Sequence, residues 1–324
     1  MRAMTVTEWC EPAGMRLSDL PDPEAKPGQV AIDVRAIGCN FFDILMVQGK
    51  YQVRPPLPFA PGGEVAGTVR AVGRGVSHVR RGDRVFAMLG WGGYATVAIA
   101  PADAVVKMPP SMSFEHGAAF GVVYQTSYFA LVHRVALRAG ETLLVHAAAG
   151  GVGLAAVQIG RALGARVLAT AGSADKVAVA REHGAEQAFD YSTADWVEGV
   201  KAATGGRGAD VIYDPVGGEI FDLSTKVVAF GGRLLVIGFA SGKIPSIQTN
   251  RILLKNISIV GLHWGAYRTH DPARIAEANA ELFALYEKGA IRPVVSSVRP
   301  LSEAAAALDE IASRRSIGKV VLIP

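Results

Sequence analysis

The sequence is poor in the features that mark several large protein classes. It has 2 cysteines, Cys10 and Cys39, in 324 residues, too few for a disulfide framework or a four-cysteine zinc lobe. Charged residues make up only 19% and the formal net charge is +4. Lys and Arg are scattered, without the basic run or aromatic–basic alternation that holds nucleic acid. Residues 1–12, MRAMTVTEWCEP, lack a basic stretch followed by an apolar core, so no secretory signal is expected. The most apolar stretch, 143–160, is broken by His146, Gln158 and four glycines, and it reads as strand, turn and helix rather than as a membrane span. No Ser-His-Asp order or paired carboxylate stands out. The expectation is a soluble, cytoplasmic protein with no nucleic-acid or membrane partner.

Glycine is plentiful: 37 of 324 residues, about 11% against a usual ~7%. Without a triplet repeat, that excess means tight turns and close backbone approaches. Half the residues are hydrophobic, enough for the cores of two domains at this length. The first 110 residues give short alternating runs at 29–37, 64–72 and 95–99, separated by Gly- and Pro-rich turns. This pattern predicts a small β-barrel or sandwich, and a barrel is favoured because closure removes exposed edges. From Glu141 onward, apolar runs at 142–146, 166–170, 187–189, 209–213 and 232–237 alternate with helical patterns. That alternation predicts a doubly wound parallel α/β sheet. Residues 257–262 would be its sixth strand, on an edge. Two helices and a last strand, Lys319–Ile323, follow.

The run His146-Ala147-Ala148-Ala149-Gly150-Gly151-Val152-Gly153 follows a strand and opens a helix, the setting of a dinucleotide-binding turn. Helix-start N–H groups and the positive dipole end suit a pyrophosphate, and glycines let the backbone approach it. Ala148 replaces the first glycine of the usual Gly-x-Gly-x-x-Gly, while Gly150 and Gly153 stand. An NAD site needs an acid at the end of the next strand to bind the ribose hydroxyls. Neutral Ala171 stands there instead, followed by Gly172, Ser173 and Lys176. A phosphate on the ribose would be repelled by an acid and held by a hydroxyl and a cation, so NADPH is expected. The bland reading makes Ser173 an N-cap and Lys176 a solvated helix residue.

With Gly82-Asp83-Arg84-Val85, Gly93-Tyr94-Ala95 and the terminal Gly318-Lys319-Val320-Val321-Leu322 added, the chain resembles, nearly end to end, the medium-chain dehydrogenase/reductase superfamily. Within it the likeness is to the zinc-independent NADPH:quinone oxidoreductases. The resemblance implies a Rossmann nucleotide domain at 121–265 and a GroES-like β-barrel substrate domain at 1–120 and 266–324. Zinc-dependent relatives carry a cysteine three residues before an aspartate and a histidine just before a glutamate. Asn40 precedes Asp43 here and Gly63 precedes Glu64, so two of the ligands that catalytic zinc requires are missing and no metal is expected. The resemblance also implies that Asn40 and Thr126 lie beside the cofactor and that Tyr191 packs near the 2′-phosphate. Gly238 and Phe239 would line the nicotinamide pocket, and Gly318 and Lys319 would approach the cofactor phosphates.

Hydride transfer to a quinone or conjugated enone needs placement and a few donors aimed at the oxygen that gains charge. Asn40 and Tyr51 are the candidates, and water can supply the proton. Two alternatives stay open. One is an enoyl-thioester reductase for acryloyl- or crotonyl-CoA, with Arg54, Arg251, Lys255 and Arg268 as candidate phosphate contacts. The other is a non-catalytic NADPH-binding protein. A homodimer is expected from the resemblance and from the edge strand at 257–262.

Overall fold

In a computed structural model, residues 1–192 and 195–324 are described. The chain divides into one unit of Met1–Val122 with Pro293–Pro324 and a second of Val123–Arg292.

The first unit contains strands β1 (Arg2–Thr5), β2 (Arg16–Asp19), β3 (Gln29–Gly38), β4 (Glu64–Val72), β5 (Arg84–Met88), β6 (Val97–Pro101), β7 (Val105–Lys107), β14 (Val295–Pro300) and β15 (Lys319–Ile323). Its main sheet runs β14-β15-β3-β4-β5-β7, with β6 also paired to β3. Ten-residue β3 organises it. One flank pairs with β4 along most of its length. The other takes β6 at residues 29–33 and β15 at 37–38. Val30, Ile32, Val34 and Ile37 point into a core shared with Val65, Val85, Val320 and Leu322. Burying each such side chain stabilises the fold by about 1.5–3 kcal/mol. Strand β14 goes beyond the sequence reading. Its half-buried VSSVRP carries too weak a pattern, and parallel pairing to β15 creates it.

The second unit is a six-stranded, all-parallel sheet of β8 (Thr142–Val145), β9 (Arg166–Ala171), β10 (Gln187–Asp190), β11 (Ala209–Asp214), β12 (Val228–Val236) and β13 (Ser258–Gly261). The order β10-β9-β8-β11-β12-β13 is the doubly wound one expected, and it reverses between β8 and β11, where such sheets bind ligands. All four residues of β8 are buried, as helices on both faces require. Among the described residues no helix is long and apolar enough to cross a membrane.

The expected boundary at 265/266 is corrected. Residues 266–292 belong to the second unit, because buried polar groups tie them there. Gln158, on the helix Gly151–Ala162, accepts from Tyr124 Oη at 2.8 Å and from the Arg292 amide at 2.8 Å, and donates to the Arg292 carbonyl at 3.0 Å. Gln125 donates to Asn279 Oδ1 at 2.6 Å. Losing either partner would leave an unpaired buried amide, which costs about 1–3 kcal/mol.

His146, the strand-end histidine, is a structural residue in the second unit. Ser224 Oγ donates to the Ile220 carbonyl (2.7 Å), so it accepts from His146 Nε2 (2.9 Å), and Nδ1 therefore accepts from Thr170 Oγ1 (2.8 Å). Burial pulls its pKa from 6.5 down to about 3. The unfolded chain thus takes up a proton below pH 6.5 that the folded chain refuses down to about pH 3. The stabilisation is complete above pH 6.5 and erodes as the pH falls, by about 2 kcal/mol at pH 5. His146→Gln is expected to abolish that part of the acid sensitivity. Urea unfolding of both proteins at pH 7.5 and pH 5 checks it, and equal pH dependence in the two would refute it.

Candidate active site

The glycine turn leaves β8 at the sheet's carboxyl edge. Ala147 adopts φ 48°, a left-handed conformation that an L-residue enters only under constraint, which is common at functional turns. Gly150 then opens the helix Gly151–Ala162 with no side-chain cap, leaving the first N–H groups for an anion. Gly153 lies against the Ala147 carbonyl so closely that any Cβ would collide with it. Thr126 is half-buried on the helix Gly121–Tyr128. Its neighbour Ser127 donates to the Val152 carbonyl at 3.0 Å and bonds Tyr213 Oη at 2.9 Å, so this helix is fastened to the turn.

Strands β9 and β10 end side by side. Gly172 and Tyr191 meet there, a Cβ on the glycine falling 2.8 Å from the Tyr191 hydroxyl oxygen. The Tyr191 amide donates to the Ala171 carbonyl at 3.0 Å. Ser173 does cap the next helix, accepting from the Lys176 amide at 3.4 Å, a bond that leaves its own hydrogen to donate. Lys176 is half-buried, and desolvation lowers its pKa. Gly238 and Phe239 follow β12 at the same edge, held as the Ala240 amide donates to the Pro215 carbonyl at 3.1 Å. In the second unit the glycine turn, Gly172, Ser173, Tyr191, Gly238 and Phe239 therefore share the carboxyl edge of one sheet.

In the first unit the nominated residues meet differently. Lys319 is 5% exposed and Glu64 1%. The Lys319 ammonium donates to the Cys39 carbonyl at 2.9 Å, Asn40 Oδ1 at 2.7 Å and Glu64 Oε1 at 2.6 Å. Asn40 Nδ2 donates to the Gly38 carbonyl (3.2 Å) and to Glu64 Oε1 (2.9 Å), while Glu64 Oε2 accepts from the Val122 amide (2.9 Å). Two expectations are corrected. The Lys319 cation is spent inside this network, so it is not a phosphate contact. Gly318 serves the backbone, with φ 60° and its Cα against the Val294 carbonyl. Nor can Asn40 be the donor to a substrate oxygen, because both its amide hydrogens are used. Glu64, read from sequence as a brace for its glycine turn, is the hub. Its signal was a carboxylate opening a buried strand, with no cation near it in sequence.

Asp43 accepts from the Asn40 amide (2.9 Å) and from Tyr94 Oη (3.1 Å) through Oδ2, while Oδ1 is buried without a partner. Burial raises its pKa from 3.8 to about 7, against the lowering effect of the Asn40 amide and Lys319. Cys39 bonds Tyr94, and burial pushes its thiol up to about 12. Tyr51, half-buried, stacks on Phe42 with centroids 5.5 Å apart. Burial raises its hydroxyl pKa, so at neutral pH it is a donor. Of the cations nominated for a CoA patch, Lys255 is engaged with the carbonyls of Thr225, Lys226 and Val228.

Residues 26–110 match the family model described as alcohol dehydrogenase GroES-like domain, and residues 151–282 match that described as zinc-binding dehydrogenase. The chain is 40% identical over 297 residues to the quinone oxidoreductase-like protein 2 homolog of Nematostella vectensis, covering 91% of this chain and 81% of the relative. It is 36% identical over 326 residues to the quinone oxidoreductase of Homo sapiens, covering 100% and 98%. The crystal structure of Escherichia coli quinone oxidoreductase complexed with NADPH superimposes with a TM-score of 0.93 at 32% identity, covering 100% of both chains.

Asp43 carries a testable sign. Between pH 3.8 and 7 the folded chain holds a proton that the unfolded chain releases, so stability falls as pH rises through that window, by up to roughly 4 kcal/mol. Asp43→Asn removes the titration and keeps an acceptor oxygen. Its stability relative to the wild type is expected to improve from pH 4.5 to pH 8; urea midpoints that move in parallel would contradict this.

Proposed function

The chain belongs to the medium-chain dehydrogenase/reductase family, and from that premise we propose a zinc-independent oxidoreductase that uses NADPH to reduce quinones or conjugated enones. The observation that carries the reading is the carboxyl edge of β9. There Ala171 leaves no negative charge, Tyr191 lies against Gly172, and Ser173 caps the helix that carries Lys176, a set that suits a ribose phosphate. Gly150, Gly151, Val152 and Gly153 would hold the pyrophosphate on helix N–H groups. Thr126, Gly238 and Phe239 would flank the nicotinamide.

When bound, NADPH supplies the hydride; the protein supplies placement and electrostatics. The Tyr51 hydroxyl is the donor this reading aims at the acceptor oxygen, an interaction worth about 2.7–4 kcal/mol in comparable sites. Water protonates the product.

The residues do not fit a zinc ion. Asn40 is neutral and fully bonded, and Glu64 already holds an ammonium. The space a side chain at 63 would need is filled by the Phe42 ring, against which Gly63 lies.

A cytoplasmic location is part of the reading, supported by two cysteines that both remain free thiols. So is a homodimer. The edge strand β13 has one unpaired flank, and Phe230, Ile244, Leu253 and Leu254 in the same unit are 72–79% exposed. An edge strand is self-complementary about a twofold axis, and apolar exposure of this size marks an interface. Leu254→Glu is expected to yield monomers in sedimentation velocity under conditions where the wild type is a dimer. A monomeric wild type would dismiss the dimer.

The main test is the initial rate of nicotinamide oxidation by chelator-treated protein, with NADPH or NADH against an ortho-quinone, a simple enone and an acryloyl thioester. Fast, chelator-insensitive NADPH oxidation with quinone or enone is expected, and preference for the thioester would replace the acceptor assignment. Lys176→Ala should raise KM for NADPH by about 10-fold or more, as a lost charge-assisted contact implies, and leave KM for NADH nearly unchanged. Equal effects on the two would remove the phosphate assignment.

A further inference from the structure

We propose that Asp214 is a positioning residue for the nicotinamide end of the cofactor, acting through Phe239: its carboxylate shapes the turn at residues 215–217 against which the Phe239 ring rests. The inference deepens the functional reading above and rests on it. All of its parts lie in the second unit.

Asp214 ends β11, one of the two strands between which the sheet order reverses, and it is 1% exposed. A carboxylate so deeply buried needs donors, and it finds them in the chain that follows it. Oδ1 accepts from the Val216 amide at 2.8 Å and from the Gly217 amide at 3.0 Å. The first bond is the two-residue closure of an Asx turn. Burial raises the pKa of Asp214, and the Gly217 and Val216 amides pull it back, so both bonds favour the charged form and are strengthened by it.

The turn continues through Gly217 and Gly218 at φ 69° and 56°, left-handed values that glycine enters without strain. Held this way, it offers two carbonyls and a bare Cα to the segment after β12. The Pro215 carbonyl accepts from the Ala240 amide at 3.1 Å, and the Val216 carbonyl from the Ser241 amide at 2.9 Å. A Cβ at Gly217 would lie 3.0 Å from Phe239 Cδ1, so the ring sits directly on this glycine. Residues 237–242 belong to neither helix nor strand, and Phe239 is 39% exposed. The place of the ring is therefore set by the turn beneath it, and the turn by Asp214.

Calorimetric binding of NADPH and of 2′,5′-ADP to the full chain tests the inference. The second ligand keeps the ribose phosphate and has no nicotinamide. Asp214→Ala leaves two amides without their acceptor, and NADPH affinity is expected to fall about 10-fold, with 2′,5′-ADP affinity unchanged. Asp214→Asn keeps an acceptor for the Asx turn and is expected to hold NADPH affinity within about 3-fold of the wild type, the difference between a charged and a neutral acceptor. In a cycle with Phe239→Ala, the double variant loses no more than the worse single variant if Asp214 acts through the ring. Equal losses for both ligands would mark a general fault of the fold and overturn the inference. So would multiplying losses in the cycle, wild-type NADPH affinity in Asp214→Ala or Phe239→Ala, or an Asn variant as weak as the Ala one. Should Asp214→Ala fail to fold, Asp214→Ser takes its place, since a hydroxyl closes the same turn more weakly, and the same outcomes decide. A wild type that binds neither ligand overturns the functional reading, and this inference with it; a wild type that binds both, with any of the failures above, overturns this inference alone.

Discussion

A buried ammonium must be met on every side, and the first unit is arranged around that demand. Moving such an ion out of water costs several kcal/mol unless each hydrogen finds an acceptor and the charge finds a counter-ion. Lys319 meets the requirement with one carboxylate, one carboxamide and one carbonyl. These come from β4 and from the segment after β3, while Lys319 itself opens β15. The demand thus selects the rotamer of Asn40, occupies Glu64 and ties the last strand to the segment 39–43. Asp43 and Tyr94 extend the network with a second buried acid, raised toward neutrality by its burial, which the Asn40 amide and Lys319 only partly offset.

The second unit obeys a different constraint. Parallel strands buried on both faces leave polar chemistry only at their ends, so the glycine turn, the Ser173–Lys176 helix start, Tyr191 and the Phe239 loop all occur at carboxyl ends. The strain at Ala147 and the collision that any Gly153 side chain would suffer belong to the same compression. A backbone that must curl tightly enough to offer its amides has no room for Cβ atoms.

What the sequence disclosed follows from these two constraints. Strands with apolar runs, such as Thr142–Val145, and the glycine turn are legible because their cause is local. The residues nominated for a nucleotide were chosen on the same local ground, and Gly172, Ser173, Tyr191, Gly238 and Phe239 each follow a strand end. Lys319 was misread because its partners lie 279 and 255 residues away, and no local pattern reports a contact of that span. Asn40 was nominated as a donor, a role the structure does not leave it, since both amide hydrogens are engaged and its polarity depends on Lys319. The boundary at 265/266 failed similarly. Gln158 and Asn279 claim the segment 266–292 for the second unit through long-range polar pairing that periodicity does not register.

The packing of Phe42 against Gly63 has an evolutionary consequence. A histidine at 63 would require Phe42 to leave, and a cysteine at 40 would strip Lys319 of an acceptor while the ammonium still repelled any arriving dication. Each step toward a metal centre is harmful before the others are made. The lysine and the aromatic ring thus hold this place in mutual dependence, and no single substitution would open it to a dication.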